Sequence, residues 1–449
     1  MFADRPTVRV VFLFIAATAA APVALADPPR VVKAVPDNGD ADVDPGLREM
    51  RIEFDQDMSA GGHSICGGGP EYPEIVGRPR WESPRVMVIP VKLKPSHGYS
   101  LSINCPAAQN FRGVDGTPAE MYPISFRTAS RRGGTSPKVT RDENQAAIAA
   151  LRRAIDEHYS YRDLRRVDWN KAFAEYAPKL EKAETAAEFG RQAAKLLAKA
   201  RDIHILVRVG ETPIASHRRS VRPNCELPCL ERTVPGWRQR SKCVFTGRFD
   251  DGIGYIMITT WAPESPADLE PAFEALAEFA DAPGMIVDVR PNAGGDELLA
   301  QSFAGCFVEK AAVYSRNVYR DTSAPDGFTK PFDRVIEPKK GRPAFHKPVA
   351  VLMGKANMSS CESFLLMMKQ APKSVLIGET SYGSSGNPKP HDLGNGVTVL
   401  LPSWKDMAPD GTLIEGVGIR PDVNIEATLV ELRRDDPLLA EALKRLRKP

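Results

Sequence analysis

Four short runs between residues 252 and 378 are apolar at nearly every position: "GIGYIMI" (252–258), "GMIVDVR" (284–290), "PVAVLMG" (348–354) and "SVLIG" (374–378). A strand with one wet face alternates polar and apolar residues, whereas a continuous apolar run must be covered on both sides. The stretches between them, "PADLEPAFEALAEFA", "ELLAQSFAGCF" and "CESFLLMMKQ", have helical length and patterning. Strand and helix therefore alternate, which predicts an α/β sheet with helices on both faces. Beyond it, "LGNGVTVLLP" reads as a hairpin turning at Asn395-Gly396.

The chain has 449 residues, too many for one ordinary domain. From Pro28 to Ser130 it is rich in Pro and Gly, and short alternating runs recur, "LREMRIEF", "PRVMVIPV", "YSLSINC" and "YPISFRT". Such spacing predicts a small β-sandwich. "ASRRGGTSPK" (129–138) has the composition of a linker. Two amphipathic stretches follow, "ENQAAIAALRRAIDEHY" and "TAAEFGRQAAKLLAKA", and the pattern turns to strand at "RDIHILVRV". From Arg222 to about Lys242 the sequence is irregular and contains cysteines.

At the N-terminus, Arg5 and Arg9 precede an apolar run that ends in Ala24-Leu25-Ala26. A basic region, an apolar core and a small-x-small site predict a cleavable signal peptide and a periplasmic or secreted protein. The seven cysteines would then meet an oxidising environment. Cys66 and Cys105 can pair; Cys225, Cys229 and Cys243 cluster, and a disulfide there is favoured over zinc because no second ligand pair follows Cys225-x3-Cys229. The odd number leaves at least one free thiol. The formal net charge is +3, which gives no reason to expect nucleic acid or an anionic membrane as partner.

Three loops carry chemistry. "DVRPNAGGDE" (288–297) follows a strand and opens a helix, and Gly294 and Gly295 let backbone amides approach a ligand or an oxyanion. "ANMSSCESF" (356–364) places Ser359 between a strand and a helix, where a nucleophile gains from the helix N-terminus. Ser359 with Glu362 three residues later also fits a capping box. His204, two residues after Asp202, is the candidate base that a serine nucleophile needs. Cys361 fits the first helical turn facing the core better than it fits a nucleophile.

Two resemblances add to this reading. "VPDNGDADVDPGLREMRIEFDQDMS" resembles the opening strands of bacterial Ig-like domains, modules that space or orient. "DVRPNAGG", "ANMSSCESF", "LIGETSYGSSG" and "EGVGIRPD" occur in the order found in the tail-specific, or C-terminal-processing, serine peptidase superfamily, and "YSYRDLRRVDWNKAFAEYAPKL…ARDIHI" resembles its tricorn-like branch. The resemblance covers about 139–426. Composition and the two resemblances together give the expected organisation: a signal peptide over 1–26, an Ig-like β-sandwich over 28–130, a linker over 131–140, a helical region over 141–201 and an α/β crotonase/ClpP-like peptidase core over 202–449, with the cysteine-containing insertion near 215–245.

The resemblance assigns Ser359 as nucleophile, His204 as base, Glu415 as the group that orients the base, and the amides of Gly294 or Gly295 and of Ser360 as the oxyanion hole. Ser384 stands where another branch has a catalytic lysine, so a serine–lysine dyad is not expected. Ile203 beside His204 stands where the branch often has a hydroxyl or small residue, which leaves Glu415 to reach His204 directly or through water. No peptide-binding PDZ-like module fits between Ile205 and Phe245. The implied activity is cleavage of peptides or unfolded protein, with no metal, no organic cofactor and no membrane span after signal cleavage. The sequence leaves homo-oligomer formation open. The alternatives are a non-catalytic peptide- or apolar-ligand-binding protein on the same fold, and an envelope adhesin acting through its Ig-like module.

Overall fold

The computed structural model describes residues 27–40, 43–69, 71–105, 108–129, 137–210, 212–217 and 221–447. The expected signal peptide (1–26) and most of the expected linker lie outside the described residues. The N-terminal region holds two antiparallel sheets. One joins Val31–Val35, Glu49–Phe54, Val86–Lys92 and Glu74–Ile75, with Arg80–Ser83 also pairing to Val86–Lys92; the other joins Ile65–Cys66, Gly98–Ile103 and Tyr122–Arg127. Met50, Ile52 and Phe54 are buried while Arg51 and Glu53 are exposed, the alternation that "LREMRIEF" predicts. Both sheets contribute to one core that includes Phe54, Ile89, Leu101 and Phe126. Cys66 and Cys105 form a disulfide.

Three helices follow, Arg141–His158, Trp169–Glu181 and Ala186–Leu197. The first starts at a capping box between Thr140 and Glu143. They share a core with a four-stranded antiparallel sheet ordered Thr212–Ala215, Leu206–Val209, Val397–Pro402, Pro388–Asp392. The last two strands are the expected hairpin, closed by Leu393 N donating to Val397 O at 2.9 Å.

The α/β region is a seven-stranded sheet ordered Arg238–Gln239, Val244–Arg248, Gly254–Ile258, Met285–Asp288, Val349–Met353, Ser374–Gly378, Val423–Asn424. From Gly254–Ile258 onward every neighbouring pair is parallel. Gly254–Ile258, Met285–Asp288 and Val349–Met353 are buried at every residue. Helices Glu270–Glu278, Glu297–Ala304 and Ser360–Met368 cover one face. Leu227–Thr233, Leu429–Arg434 and Pro437–Leu446 cover the other.

The stretch read as irregular, 222–242, contains a helix and a short strand. The expected disulfide there does not form: Cys225, Cys229 and Cys243 are free and buried. Cys225 belongs to the core on one face of the sheet and Cys243 to the core on the other, so the backbone sheet separates them. A small antiparallel sheet, Phe332–Ile336, Ala312–Tyr319 and Trp404–Met407, has no counterpart in the sequence reading. Among the described residues no helix is long and apolar enough to cross a membrane, and no cluster of His, Cys, Asp and Glu could hold a metal ion.

Candidate active site

The glycine loop grows from a buried ion cluster. Arg290 is fully buried, and its guanidinium meets Asp288 at 2.6 Å and Asp436 at 2.9 Å and donates to Asn224 O at 3.0 Å. A buried cation requires such partners, and here they fix the root of the loop. Further along, Asn292 Nδ2 donates to Ile258 O at 3.2 Å while its Oδ1 accepts Gly294 N at 2.9 Å. From the neighbouring loop, Asn357 Nδ2 donates to Val289 O and Asn292 O, and its Oδ1 accepts Gly354 N. Two buried asparagines thus stitch two strand ends together.

The stitching brings the glycines against the serine. Gly294 has φ +103°, and a Cβ there would lie 2.7 Å from Met358 O, 3.0 Å from Ser359 Cβ and 3.2 Å from Ser360 N. Gly295 has φ +142°, and a Cβ there would lie 2.2 Å from the Trp261 carbonyl carbon. Neither position admits a side chain.

Ser359 ends the strand-to-helix turn with φ 55° and ψ −132°, a backbone conformation that L-residues avoid. Its side chain does not cap the helix, and the capping box with Glu362 does not form. Glu362 turns instead toward the 381–384 loop, where it accepts hydrogen bonds from Ser381 Oγ (2.5 Å), Gly383 N (2.7 Å) and Ser384 N (2.9 Å). Burial outweighs these three donors and pushes the Glu362 carboxyl up to about 8. Among the described residues, neither Ser360 N nor Gly295 N has a protein acceptor, whereas Gly294 N is occupied by Asn292. Two free amides therefore flank Ser359. Cys361 is fully buried in the core, and desolvation raises its thiol well above the ordinary value.

His204 stands just before the Leu206–Val209 strand. Its amide donates to Asp202 Oδ1 at 2.9 Å, and its Nδ1 lies 3.0 Å from Ser384 Oγ. Ser384 also accepts the Ser359 amide on its carbonyl at 2.7 Å. One residue thus contacts both the candidate base and the candidate nucleophile, although no hydrogen bond joins the His204 and Ser359 side chains directly. Burial holds the His204 imidazole below its ordinary value, with Asp202 opposing and Arg165 reinforcing the shift.

Glu415 is buried, and its two oxygens are occupied by Arg165 and by Ser385 N, the latter at 2.8 Å. Arg165 also lies 3.8 Å from Asp202, which accepts from Tyr159 Oη at 2.8 Å. Glu415 is therefore linked to His204 through Arg165 and Asp202. Sequence reading missed Arg165, which sits 250 positions before Glu415; the only local signal is a basic residue in a turn between helices.

Two cavities border the 382–385 stretch. One, of about 760 Å³, is lined by Ile203, Tyr382, Ser384 and Glu415 and also by Arg30, Glu120 and Met121 of the N-terminal region. The other, of about 410 Å³, is lined by Gly295, Ser359, Ser360 and Ser385, with Arg334 and Trp404 from the small sheet.

Comparison with known proteins agrees with this architecture. Residues 252–425 match the model of peptidase family S41, and residues 141–197 match the tricorn protease C1 domain. Both matches, together with the relatives that follow, support a place in the C-terminal-processing serine peptidase superfamily. It is 28% identical over 203 residues to the carboxy-terminal processing protease CtpA of Bacillus subtilis, covering 45% of this chain and 40% of that protein. It is 28% identical over 174 residues to the same organism's CtpB, covering 39% and 34%. The chain thus spans less than half the length of these relatives. A solved structure from Parabacteroides merdae, assigned to the peptidases, superposes with a TM-score of 0.58 at 22% identity, covering 69% of this chain and 98% of the other. That likeness establishes the shared fold. The packing of the chain itself brings Ser359, the glycine loop and the 381–384 loop together.

Proposed function

We propose that the chain is a serine peptidase acting outside the cytoplasm on peptides or unfolded protein. His204 takes the proton of Ser359 as Ser359 Oγ attacks the substrate carbonyl. The amides of Gly295 and Ser360 hold the developing oxyanion, and each such donor contributes about 3 kcal/mol to transition-state stabilisation. His204 then returns the proton to the leaving amine, and water releases the acyl group by the reverse route. Glu415 acts on His204 at a distance, through Arg165 and Asp202.

The single observation that carries this reading is the strained Ser359 at a helix mouth between two unoccupied backbone amides. Strain at such a turn costs about 1–3 kcal/mol and persists where function needs it. Imidazole held below its ordinary value is neutral at pH 7 and ready to accept a proton. A binding-only role for apolar ligands is disfavoured, because the larger cavity is lined by Arg30, Arg165, Glu120 and Glu415. The disulfide and the basic, apolar N-terminal segment support a periplasmic or secreted location. Residues 28–130 are read as an Ig-like module whose Arg30, Glu120 and Met121 wall the larger cleft.

A fluorophosphonate probe tests the proposal. It labels wild-type protein at Ser359, fails on Ser359→Ala and labels His204→Ala far more slowly. Folded wild-type protein that resists the probe and cleaves no denatured substrate would overturn it.

A further inference from the structure

The cavity of about 410 Å³ beside Ser359 contains an unmet chemical demand. Three of its lining residues each carry a buried polar atom without a partner: Arg334 Nη1, Trp404 Nε1 and Ser360 Oγ. Buried donors are nearly always satisfied in folded proteins, so three on one wall call for an acceptor from outside.

The wall is rigid. Arg334 meets Glu297 at 2.5 Å, and its guanidinium lies 4.7 Å from the centroid of the Trp404 ring. Tyr314 Oη, also donating to Glu297 at 2.7 Å, fixes that carboxylate in turn.

Charge decides which acceptor fits. Glu297 neutralises Arg334, Asp296 sits at the exposed lip, and buried Asp406 lies behind Ser385, whose hydroxyl donates to it at 3.1 Å. An entering carboxylate would add a further negative charge to a site without surplus positive charge. A neutral carboxamide meets both needs. Its oxygen accepts from Arg334 and Trp404, and its NH₂ group donates to the hydroxyl oxygens of Ser360 and of Ser385, whose own proton goes to Asp406.

We propose that this cavity is a side-chain subsite that selects a carboxamide residue, glutamine or asparagine, beside the scissile bond. The inference rests on the peptidase reading, since Ser359, Ser360 and Gly295 form its inner end. Sites built to hydrogen-bond a polar group reject analogues that lack it, often by several orders of magnitude.

Two measurements test it. Wild-type protein is given fluorogenic peptides that differ only at the two residues flanking the scissile bond, carrying Gln, Asn, Glu, Met or Leu. Ser359→Ala protein is titrated calorimetrically with capped peptides carrying the same residues. The carboxamide peptides should be preferred at least tenfold over Glu, Met and Leu in both assays. In Trp404→Phe, which keeps the ring and removes one donor, the Gln-to-Met ratio should fall about tenfold. Equal binding of Gln and Met by Ser359→Ala, or a preference for Glu, overturns the inference. Failure of the peptidase reading registers separately, as wild-type protein that takes no fluorophosphonate label while the binding preference is still measured.

Discussion

Ser384 Oγ lies 3.0 Å from His204 Nδ1, joining two residues 180 positions apart in the chain. With Nδ1 donating to this hydroxyl, Nε2 carries the lone pair and the ring is held in one orientation. Ser384 is therefore expected to act as a positioning residue for the imidazole. Ser384→Ala should lower kcat about 10- to 100-fold with little change in KM, because the ring loses its orienting partner. Ser384→Thr should recover most of that loss. In wild type the acid limb of kcat/KM should fall below the ordinary imidazole value of about 6.5, since burial lowers the His204 pKa. Unchanged kcat and an unchanged acid limb in Ser384→Ala would refute the positioning role.

Arg165 is the hub of a buried charge group, reaching both Glu415 and Asp202. Both carboxylates are almost wholly enclosed. Removing the cation leaves them facing each other without compensation, which typically costs about 3–5 kcal/mol. Arg165→Met should therefore destabilise strongly in chemical denaturation, and adding Glu415→Gln should restore part of the loss. If the double variant is no more stable than the single one, the pair is not coupled as the geometry indicates.

The contrast between these residues shows what the chain order reveals. Apolar runs and glycine pairs are local signals, so the sheet, its helices, the Gly294–Gly295 loop and the Ser359 turn were legible. So was the pairing of Cys66 with Cys105, which the sequence permits. The role of Glu362 was misread because a capping box and a strut to a distant loop look identical over four residues; only the folded position of 381–384 separates them. Arg165 and the sheet carrying Arg334 and Trp404 were hidden for the same reason, since their partners lie far away in sequence. Cys225 and Cys229 suggested a bridge by proximity along the chain, while burial in the hydrophobic core explains both as packing residues.

Asn292 holds the Gly294–Gly295 loop from within, accepting Gly294 N and donating to Ile258 O. Alanine there leaves a buried amide and a buried carbonyl unpaired, each at about 1–3 kcal/mol. The freed Gly294 amide also allows the peptide plane before Gly294 to turn. Asn292→Ala should reduce kcat at least tenfold and lower the Tm by several degrees, while Asn292→Asp, which keeps the acceptor, should retain more activity. Equal activity of the alanine variant and wild type would show that the loop holds its shape without the brace.

Glu362 should impose a pH dependence on stability. Its carboxyl is pushed up to about 8 in the folded protein, against an unfolded value near 4.5. Between those values the folded chain binds a proton that the unfolded chain has released, so stability from this group is full below about 4.5 and declines as pH rises toward 8. Glu362→Gln keeps one oxygen acceptor and cannot ionise. The stability difference, wild type minus variant, should fall steadily across that window in denaturant titrations at fixed ionic strength. Because Glu362 accepts from Gly383 and Ser384, its ionisation state also bears on the loop that positions His204. A difference that stays flat from pH 5 to 8 would mean that the carboxylate is ionised throughout, with its three donors outweighing burial.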